Sequence, residues 1–334
     1  MKMNGFLMAA RPARLFPALA AGLALAASAT AFADPVTAYP ERPVRVVVPY
    51  PAGGNTDIIA REVAKRLSAK LGQTFLIDNK PGANSIIGTE AVAKAAPDGY
   101  TLLVAIGAYA NNFALYKKLP YSRADLVPIS HMTNTSLVVV TGRPGITSLK
   151  QLVASGNDKN APLTFASSGV GSAAHLLGER FARSSGMSST QHVAYKGSAD
   201  AVSDLLAGRV GFMFDAVSAM GAHIKSGKLT ALAVTGSGRS PLLPDAPGMR
   251  EAGYPDMVAY AWSGLLAPAK TPKAIVDRLS QTVAEVLKDP ELVSKLASIS
   301  TDPVGSTPAE FDKFLVSESD VNGKIIKALN ISLD

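Results

Sequence analysis

The chain has 334 residues, 47% of them hydrophobic, which is enough for about two domains with substantial cores. It contains no cysteine, which excludes disulfides, thiol catalysis and cysteinyl zinc sites, and its four histidines lack any metal-binding spacing. The net charge of +7 comes from scattered basic residues and only 6% of residues are aromatic, so we expect no nucleic-acid partner, no metal and no cofactor.

The N-terminus has the pattern of an export signal. Three basic residues precede an alanine-rich apolar run over residues 15–27, and Ala31-Phe32-Ala33 has the small-x-small form of a cleavage site. We therefore predict a signal peptide over residues 1–33, cleavage after Ala33 and a periplasmic location. Cleavage lowers the net charge to +4, because this segment holds three basic and no acidic residues. We expect the mature chain to be a monomer without a membrane span.

The first part of the chain predicts strands alternating with helices. The valine run Val44–Val48 is typical of a strand buried on both faces. Prolines and the pair Gly53-Gly54 then turn the chain into an amphipathic helix over residues 56–71. A strand at 74–78, a helix at 83–95 and a strand at 100–106 follow. This alternation predicts a parallel sheet with helices on both faces.

Two extended segments indicate a two-lobed α/β fold. Residues 126–141 are too long for one strand, so we place a crossing to a second lobe there, and residues 260–266 return the chain. Between them the predicted strands are 163–167, 190–195, 210–215 and 229–235, with helices at 173–183, 199–206 and 217–226. Helices at 272–288, 290–298 and 307–328 complete the first lobe. The predicted lobes are therefore 34–138 plus 257–334, and 139–256.

Glycine and serine recur in the loops that follow predicted strands. Ligands of open parallel sheets bind at these strand ends, where free amides and helix dipoles favour an anion. Asp57 or Asp215 could pair with a ligand amine, and Lys196 could attract a carboxylate. The candidate ligand-binding residues are Tyr50, Ala52, Gly53, Gly54, Asn55, Asp57, Ser85 and Gly107 in the first lobe, and Ser167, Ser168, Gly169, Ser172, His175, Tyr195, Lys196, Gly197 and Asp215 in the second.

A dinucleotide-binding site and a hydrolase active site are two alternatives to an anion-binding cleft. Residues 169–174 match G-x-G-x-x-A, but no acidic residue follows at the distance that a dinucleotide site requires. Ser168, Ser172, His175 and Asp215 supply the residue types of a hydrolase triad, yet there is no G-x-S-x-G motif and His175 lies inside a predicted helix. A ligand-sensing protein that serves a membrane kinase is a further alternative.

Six segments, in order, make the chain from about residue 39 onward similar to the Bug family, the extracytoplasmic solute receptors of tripartite tricarboxylate transporters. They are YPERPVRVVVPYPAGGNTD (39–57), NKPGAN (79–84), PDGYTLL (97–103), SSGVGSAAH (167–175), AYKGSADA (194–201) and AWSGLLAP (261–268). One departure is the loop PDAPGMREAGYP (244–255), where relatives often have threonine-proline before the glutamate.

The resemblance implies a Venus-flytrap fold that captures a small organic carboxylate and delivers it to inner-membrane permease subunits. Ala52, Gly53 and Gly54 match the family's amide-donating turn, and Ser167, Ser168, Gly169 and Ser172 match its second-lobe loop. No arginine occurs in the predicted cleft loops. The resemblance leaves open whether the ligand is an aliphatic di- or tricarboxylate, an acidic amino acid or an aromatic acid.

Overall fold

The structure is a computed structural model that describes Met1, residues 39–158 and residues 160–333. The predicted signal peptide therefore lies outside the described residues, apart from Met1. None of the described helices combines the length and the apolar character that crossing a bilayer requires.

Strands and helices alternate along most of the described chain. The strands are β1 (Val44–Val48), β2 (Phe75–Asn79), β3 (Thr101–Ile106), β4 (Leu126–Thr135), β5 (Leu137–Thr141), β6 (Thr164–Ser167), β7 (Gln191–Ala194), β8 (Phe212–Ala216), β9 (Thr230–Val234), β10 (Ala261–Pro268) and β11 (Thr301–Pro303). The helices are α1 (Asn55–Leu71), α2 (Ile86–Ala93), α3 (Gly107–Leu115), α4 (Leu149–Gly156), α5 (Ala173–Ser184), α6 (Ser198–Leu206), α7 (Val217–Lys225), α8 (Lys273–Val286), α9 (Pro290–Ala297) and α10 (Pro308–Ala328). Every predicted element is present, and α3, α4 and β11 have no counterpart among the predictions.

The first sheet has the strand order β11-β4-β10-β3-β1-β2. As predicted, β1 runs parallel to β2 and β3. The returning strand β10, however, is antiparallel to both β3 and β4. The parallel pairing predicted for the first three strands is confirmed, but the complete sheet is mixed, because the chain comes back from the second lobe in the direction opposite to its departure.

Strand β1 is buried on both faces, as its valine run predicts. Val44, Val46 and Val48 belong to a core cluster that includes Ile59 of α1. Val47 belongs to the cluster on the opposite face, with Leu103, Trp262 and Phe311 among others. Each fully buried valine contributes about 1.5–3 kcal/mol of transfer free energy, so β1 anchors the first lobe from both sides.

The second sheet has the order β7-β6-β8-β5-β9 and is also mixed. β6 is parallel to β7 and β8, whereas β5 is antiparallel to β8 and β9. The chain changes sheets at Ser136, between β4 and β5, and returns before β10. At this crossing the amides of Leu137 and Ala259 both donate to Thr235, at 3.0 and 2.9 Å. Both predicted crossing segments are confirmed; the lobe boundaries at 138/139 and 256/257 stay a prediction.

The two lobes also meet away from the crossing segments. Leu115 of α3, Leu176 of α5 and Ile326 of α10 form one buried apolar cluster. Gly171, just before α5, lies so close to α3 that a Cβ atom there would collide with Leu115 Cδ1. Helices of the first sheet's lobe thus pack directly on α5 of the second.

Candidate ligand-binding site

A cavity of about 540 Å³ is lined by residues from both lobes and from the crossing segments. Seven of the sequence-predicted site residues line it: Tyr50, Asn55, Gly107, Ser168, Gly169, Ser172 and Asp215. Ten do not: Ala52, Gly53, Gly54, Asp57, Ser85, Ser167, His175, Tyr195, Lys196 and Gly197. The cavity therefore lies where the sequence places the cleft, but the groups that face it differ in part.

In the glycine turn before α1, one of the amides that the sequence suggests as ligand donors is already used within the turn. The Gly53 N–H donates to Asp57 Oδ2 at 2.8 Å, and Ala52, Gly53 and Gly54 are exposed. Asp57 also accepts from Arg61 Nε and Asn79 Nδ2, both at 2.9 Å. Burial opposes its charge, but these hydrogen bonds hold the pKa of Asp57 below its ordinary value. Asp57 thus stabilises the turn and is not available to a ligand amine.

The N-terminus of α1 still reaches the cavity, through Asn55 and Thr56. These are its first two residues, and the N–H groups of a first helical turn have no acceptor within the helix. The side chain of Tyr50 lines the cavity beside them, and burial raises the pKa of its hydroxyl, which keeps it protonated. The part of this segment that borders the cavity therefore begins one or two residues after the Gly53-Gly54 turn, at the predicted residue Asn55.

The loop before α5 provides the second-lobe donors. Ser172 is the N-cap residue of α5, and its Oγ accepts the His175 N–H at 3.2 Å. Below it, the buried Ser167 Oγ accepts the Gly169 N–H at 3.2 Å, which shapes the loop. Ala173 and Ala174, in the first turn of α5, line the cavity, and none of the carbonyls in the described chain accepts from their amides.

Helix α3 provides a third N-terminus, at a position where the sequence predicts a loop. Its first residues, Gly107 and Ala108, line the cavity together with Asn111. The Asn111 amide donates to the Gly171 carbonyl at 3.0 Å, which joins the lobes. Its cap is Ile106, which has no side-chain hydrogen bond to the helix, so the usual sequence signal of a helix start is missing.

The helices that begin at the cavity differ in whether an acidic side chain lies near the positive end of the helix dipole. α1 has Asp57 in its first turn, and α7 follows Asp215, whose Oδ1 accepts the Ala216 N–H at 2.7 Å. α3 and α5 have no acidic residue in their first turns. The positive ends of their dipoles, one from each lobe, are therefore not compensated in this way and favour an anion in the cavity.

Asp215 lines the cavity, but its Oδ2 atom is buried. Its Oδ2 is inaccessible to solvent and has no hydrogen-bond partner in the part of the chain that the structure describes. Burial raises the pKa of Asp215 above its ordinary value. Burial of this carboxyl group, with Ser198 and the Ala216 N–H as its neighbours, disfavours a second negative charge next to it.

The remaining predicted residues have structural partners or lie outside the cavity. Ser85 is buried, and Lys196 is exposed. The Tyr195 hydroxyl donates to Asp204 Oδ2 at 2.6 Å; burial, followed by the effect of Asp204, raises its pKa to about 12. Gly197 has a φ of +150° at the start of α6 and does not line the cavity.

His175 is placed as a packing residue. Its Nδ1 accepts the Gly171 N–H at 3.0 Å, and its ring stacks on His192 with centroids 3.8 Å apart. Burial, with a smaller contribution from His192, lowers the pKa of His175 to about 3. Among the described residues its ring makes no hydrogen bond to Ser168, Ser172 or Asp215. The geometry of a hydrolase triad is therefore not formed.

A polar group at another part of the cavity was missed by the sequence reasoning. Arg180 of α5 and Glu318 and Asn322 of α10 line the wall, together with Trp262 of β10. Trp262 Nε1 donates to Glu318 Oε2 at 3.1 Å, and Asn322 Nδ2 donates to Asn111 Oδ1 at 2.9 Å. These residues lie inside helices and a strand, where the sequence shows only an amphipathic pattern, so no local signal marks them.

Two mixed sheets joined by crossing segments around such a cavity define the two-lobed fold of periplasmic binding proteins. Residues 59–331 match the family described as the tripartite tricarboxylate transporter family receptor, and the chain belongs to this family. The resemblance to the Bug family is thereby confirmed, since the chain is 39% identical over 292 residues to protein BugT of Bordetella pertussis, covering 86% of this chain and 89% of BugT.

Solved structures agree in fold. The structure of Rpa4515 from R. palustris with adipate has a TM-score of 0.79 and 33% identity, and the match covers 88% of this chain and all (100%) of that one. MatC from Rhodopseudomonas palustris with bound malate has a TM-score of 0.74 and 28% identity, with 86% and 100% covered.

Proposed function

We propose that this protein captures a small organic carboxylate in the periplasm and delivers it to the permease subunits of a tripartite tricarboxylate transporter. The observation that carries the proposal is the pair of uncompensated helix N-termini, α3 from one lobe and α5 from the other, that open on one cavity. The carboxylates named for the structures of Rpa4515 and MatC, adipate and malate, agree with this charge preference.

In this proposal the anion accepts hydrogen bonds from main-chain amides at the starts of α1, α3 and α5 and from the hydroxyls of Ser168 and Ser172. Amide donors fixed in a helix need little reorganisation, and exclusion of water strengthens them. The lobes, 34–138 plus 257–334 and 139–256, close on the ligand by movement at the crossing segments. No bond is made or broken, so the protein acts as a receptor and not as an enzyme.

The location and partners follow from the same proposal. The segment 1–33 directs export, cleavage follows Ala33, and the mature receptor works as a monomer that contacts the permease only when it delivers its ligand. Neither a cofactor nor nucleic acid is required. In the described part of the chain no cluster of three or more His, Cys, Asp or Glu side chains could hold a metal ion.

Calorimetry with the mature protein tests the proposal. A panel of carboxylates is compared with their methyl esters, which keep the shape but lose the charge. We expect at least one carboxylate to bind and its ester to bind much more weakly, and saturating ligand at 100 times its Kd should stabilise the fold by about 2.7 kcal/mol. Equal binding of acid and ester, or turnover of the ester, would contradict the proposal.

A further inference from the structure

Arg180 is a cavity-lining cation whose hydrogen-bonding capacity is unfilled. It lines the cavity from α5 and is half-buried, and among the described residues it forms no hydrogen bond within 3.5 Å and has no carboxylate oxygen within 4.0 Å. A guanidinium group has five donors and no acceptor, and it binds carboxylates in a two-pronged geometry. The side chain therefore presents unused donors to the cavity.

The described acidic side chains near Arg180 do not accept hydrogen bonds from it. Glu318 of α10 attracts Arg180 electrostatically without pairing with it, and so does the exposed Asp256, whose charge solvent screens. Glu318 Oε2 instead accepts Trp262 Nε1 at 3.1 Å and Asn322 Nδ2 at 3.4 Å. Burial raises the pKa of Glu318 above its ordinary value, against smaller lowering effects of Trp262, Arg180 and Asn322. At this end of the cavity Arg180 therefore has donors that no described side chain uses.

The wall between Arg180 and the start of α5 is apolar. Ala173, Leu176 and Leu177 line the cavity on α5, at helical spacing with Arg180. Arg180 is seven positions after Ala173, which is about 10 Å along the helix axis, and side chains in a helix tilt towards its N-terminus. An apolar wall of this length favours an aliphatic chain between the amides at the start of α5 and Arg180.

We propose that Arg180 forms a second anion subsite and that this receptor therefore selects aliphatic ligands with a carboxylate at each end over ligands with only one. The inference rests on the proposed function, because it assumes that the first carboxylate binds at the helix N-termini. It adds a specificity-determining residue in the middle of α5 that acts on the far end of the ligand.

Calorimetry on three forms of the mature protein tests this subsite: wild type, Arg180→Gln and Glu318→Gln. The probes are succinate, adipate and suberate, each paired with butyrate, hexanoate or octanoate of the same chain length. In the wild type the best-fitting diacid should bind at least about tenfold more tightly than its monoacid, or ~1.4 kcal/mol. Arg180→Gln should remove this preference and leave the monoacid affinity unchanged, and Glu318→Gln should retain or increase it because a like charge is removed.

Other outcomes overturn the inference. It fails if the wild type does not prefer diacids, if Arg180→Gln weakens monoacids and diacids equally, or if Glu318→Gln rather than Arg180→Gln abolishes the preference. If no carboxylate binds the wild type at all, the proposed function fails with it; if monoacids bind without a diacid preference, only the inference fails. Arg180→Lys keeps the charge without the fork and should retain part of the preference, which distinguishes binding from packing if Arg180→Gln folds poorly.

Discussion

Replacing Ala173 with proline removes one proposed ligand-binding amide with little expected damage to the fold. Ala173 is the first residue of α5, where proline is well tolerated because this N–H has no acceptor within the helix. The preceding Ser172 has φ −67° and ψ 160°, an extended conformation that is compatible with a following proline. The change in unfolding free energy should therefore stay within about 1 kcal/mol of the wild type.

The effect on binding should be much larger. A hydrogen bond to a charged group contributes about 1.5–3 kcal/mol, so Ala173→Pro should raise the Kd of the best carboxylate roughly ten- to a hundredfold. Isothermal titration calorimetry measures this change, and thermal denaturation checks the fold. Because the proline ring also occupies space, Ala173→Val is the matched control: it adds bulk but keeps the N–H, and it should lose less affinity.

A second control makes the same change away from the cavity. Lys273→Pro places proline at the first residue of α8, after the extended Pro272, and should leave the Kd unchanged. If Ala173→Pro binds the carboxylate as tightly as the wild type while both proteins melt alike, the start of α5 does not hold the anion. The proposed function would then lose its main support.

Three further predictions concern the framework of the site. Gly171→Ala should destabilise the protein by about 1–3 kcal/mol in chemical denaturation, because φ is +78° and the new Cβ would collide with Leu115; unchanged stability would contradict the packing of the lobes. In the folded state the pKa of His175 is about 3, against about 6.5 in the unfolded chain. The contribution of neutral His175 to the free energy of unfolding is therefore complete above pH 6.5 and is lost as the pH falls towards 3. His175→Asn, which keeps an acceptor for the Gly171 N–H, should flatten the dependence of stability on pH in this window; an unchanged slope would refute the assignment. Asp57→Asn should lower stability at neutral pH by about 1–3 kcal/mol, since it removes the charge that accepts hydrogen bonds from Gly53, Arg61 and Asn79. This deficit should shrink as acid protonates the wild-type carboxylate below about pH 4. A deficit that is the same at neutral and acidic pH would argue against a charged Asp57.

Part of the site could be found from sequence because it depends on strand ends. The loop that contains Ser168, Gly169 and Ser172 follows a strand and begins a helix, and the structure places all three at the cavity. Gly53 shows the limit of the method. Whether its amide is free depends on where the Asp57 side chain points, and in the structure Asp57 takes the N–H at 2.8 Å. Sequence identifies a turn rich in amides but does not say which amides are already bonded.

The sequence by itself determined the alternation of strands and helices, the buried valine strand β1 and the two crossings between lobes, because hydrophobic periodicity and turn residues act locally. Only the tertiary structure decided that both sheets are mixed, that α3 presents a helix N-terminus to the cavity, and that Arg180 lines the cavity. The reason is physical: a helix pattern shows which face is apolar, but the packing of α5 against α3 and α10 fixes where the edge of that face points. A residue in the middle of a helix enters a binding site only through that packing.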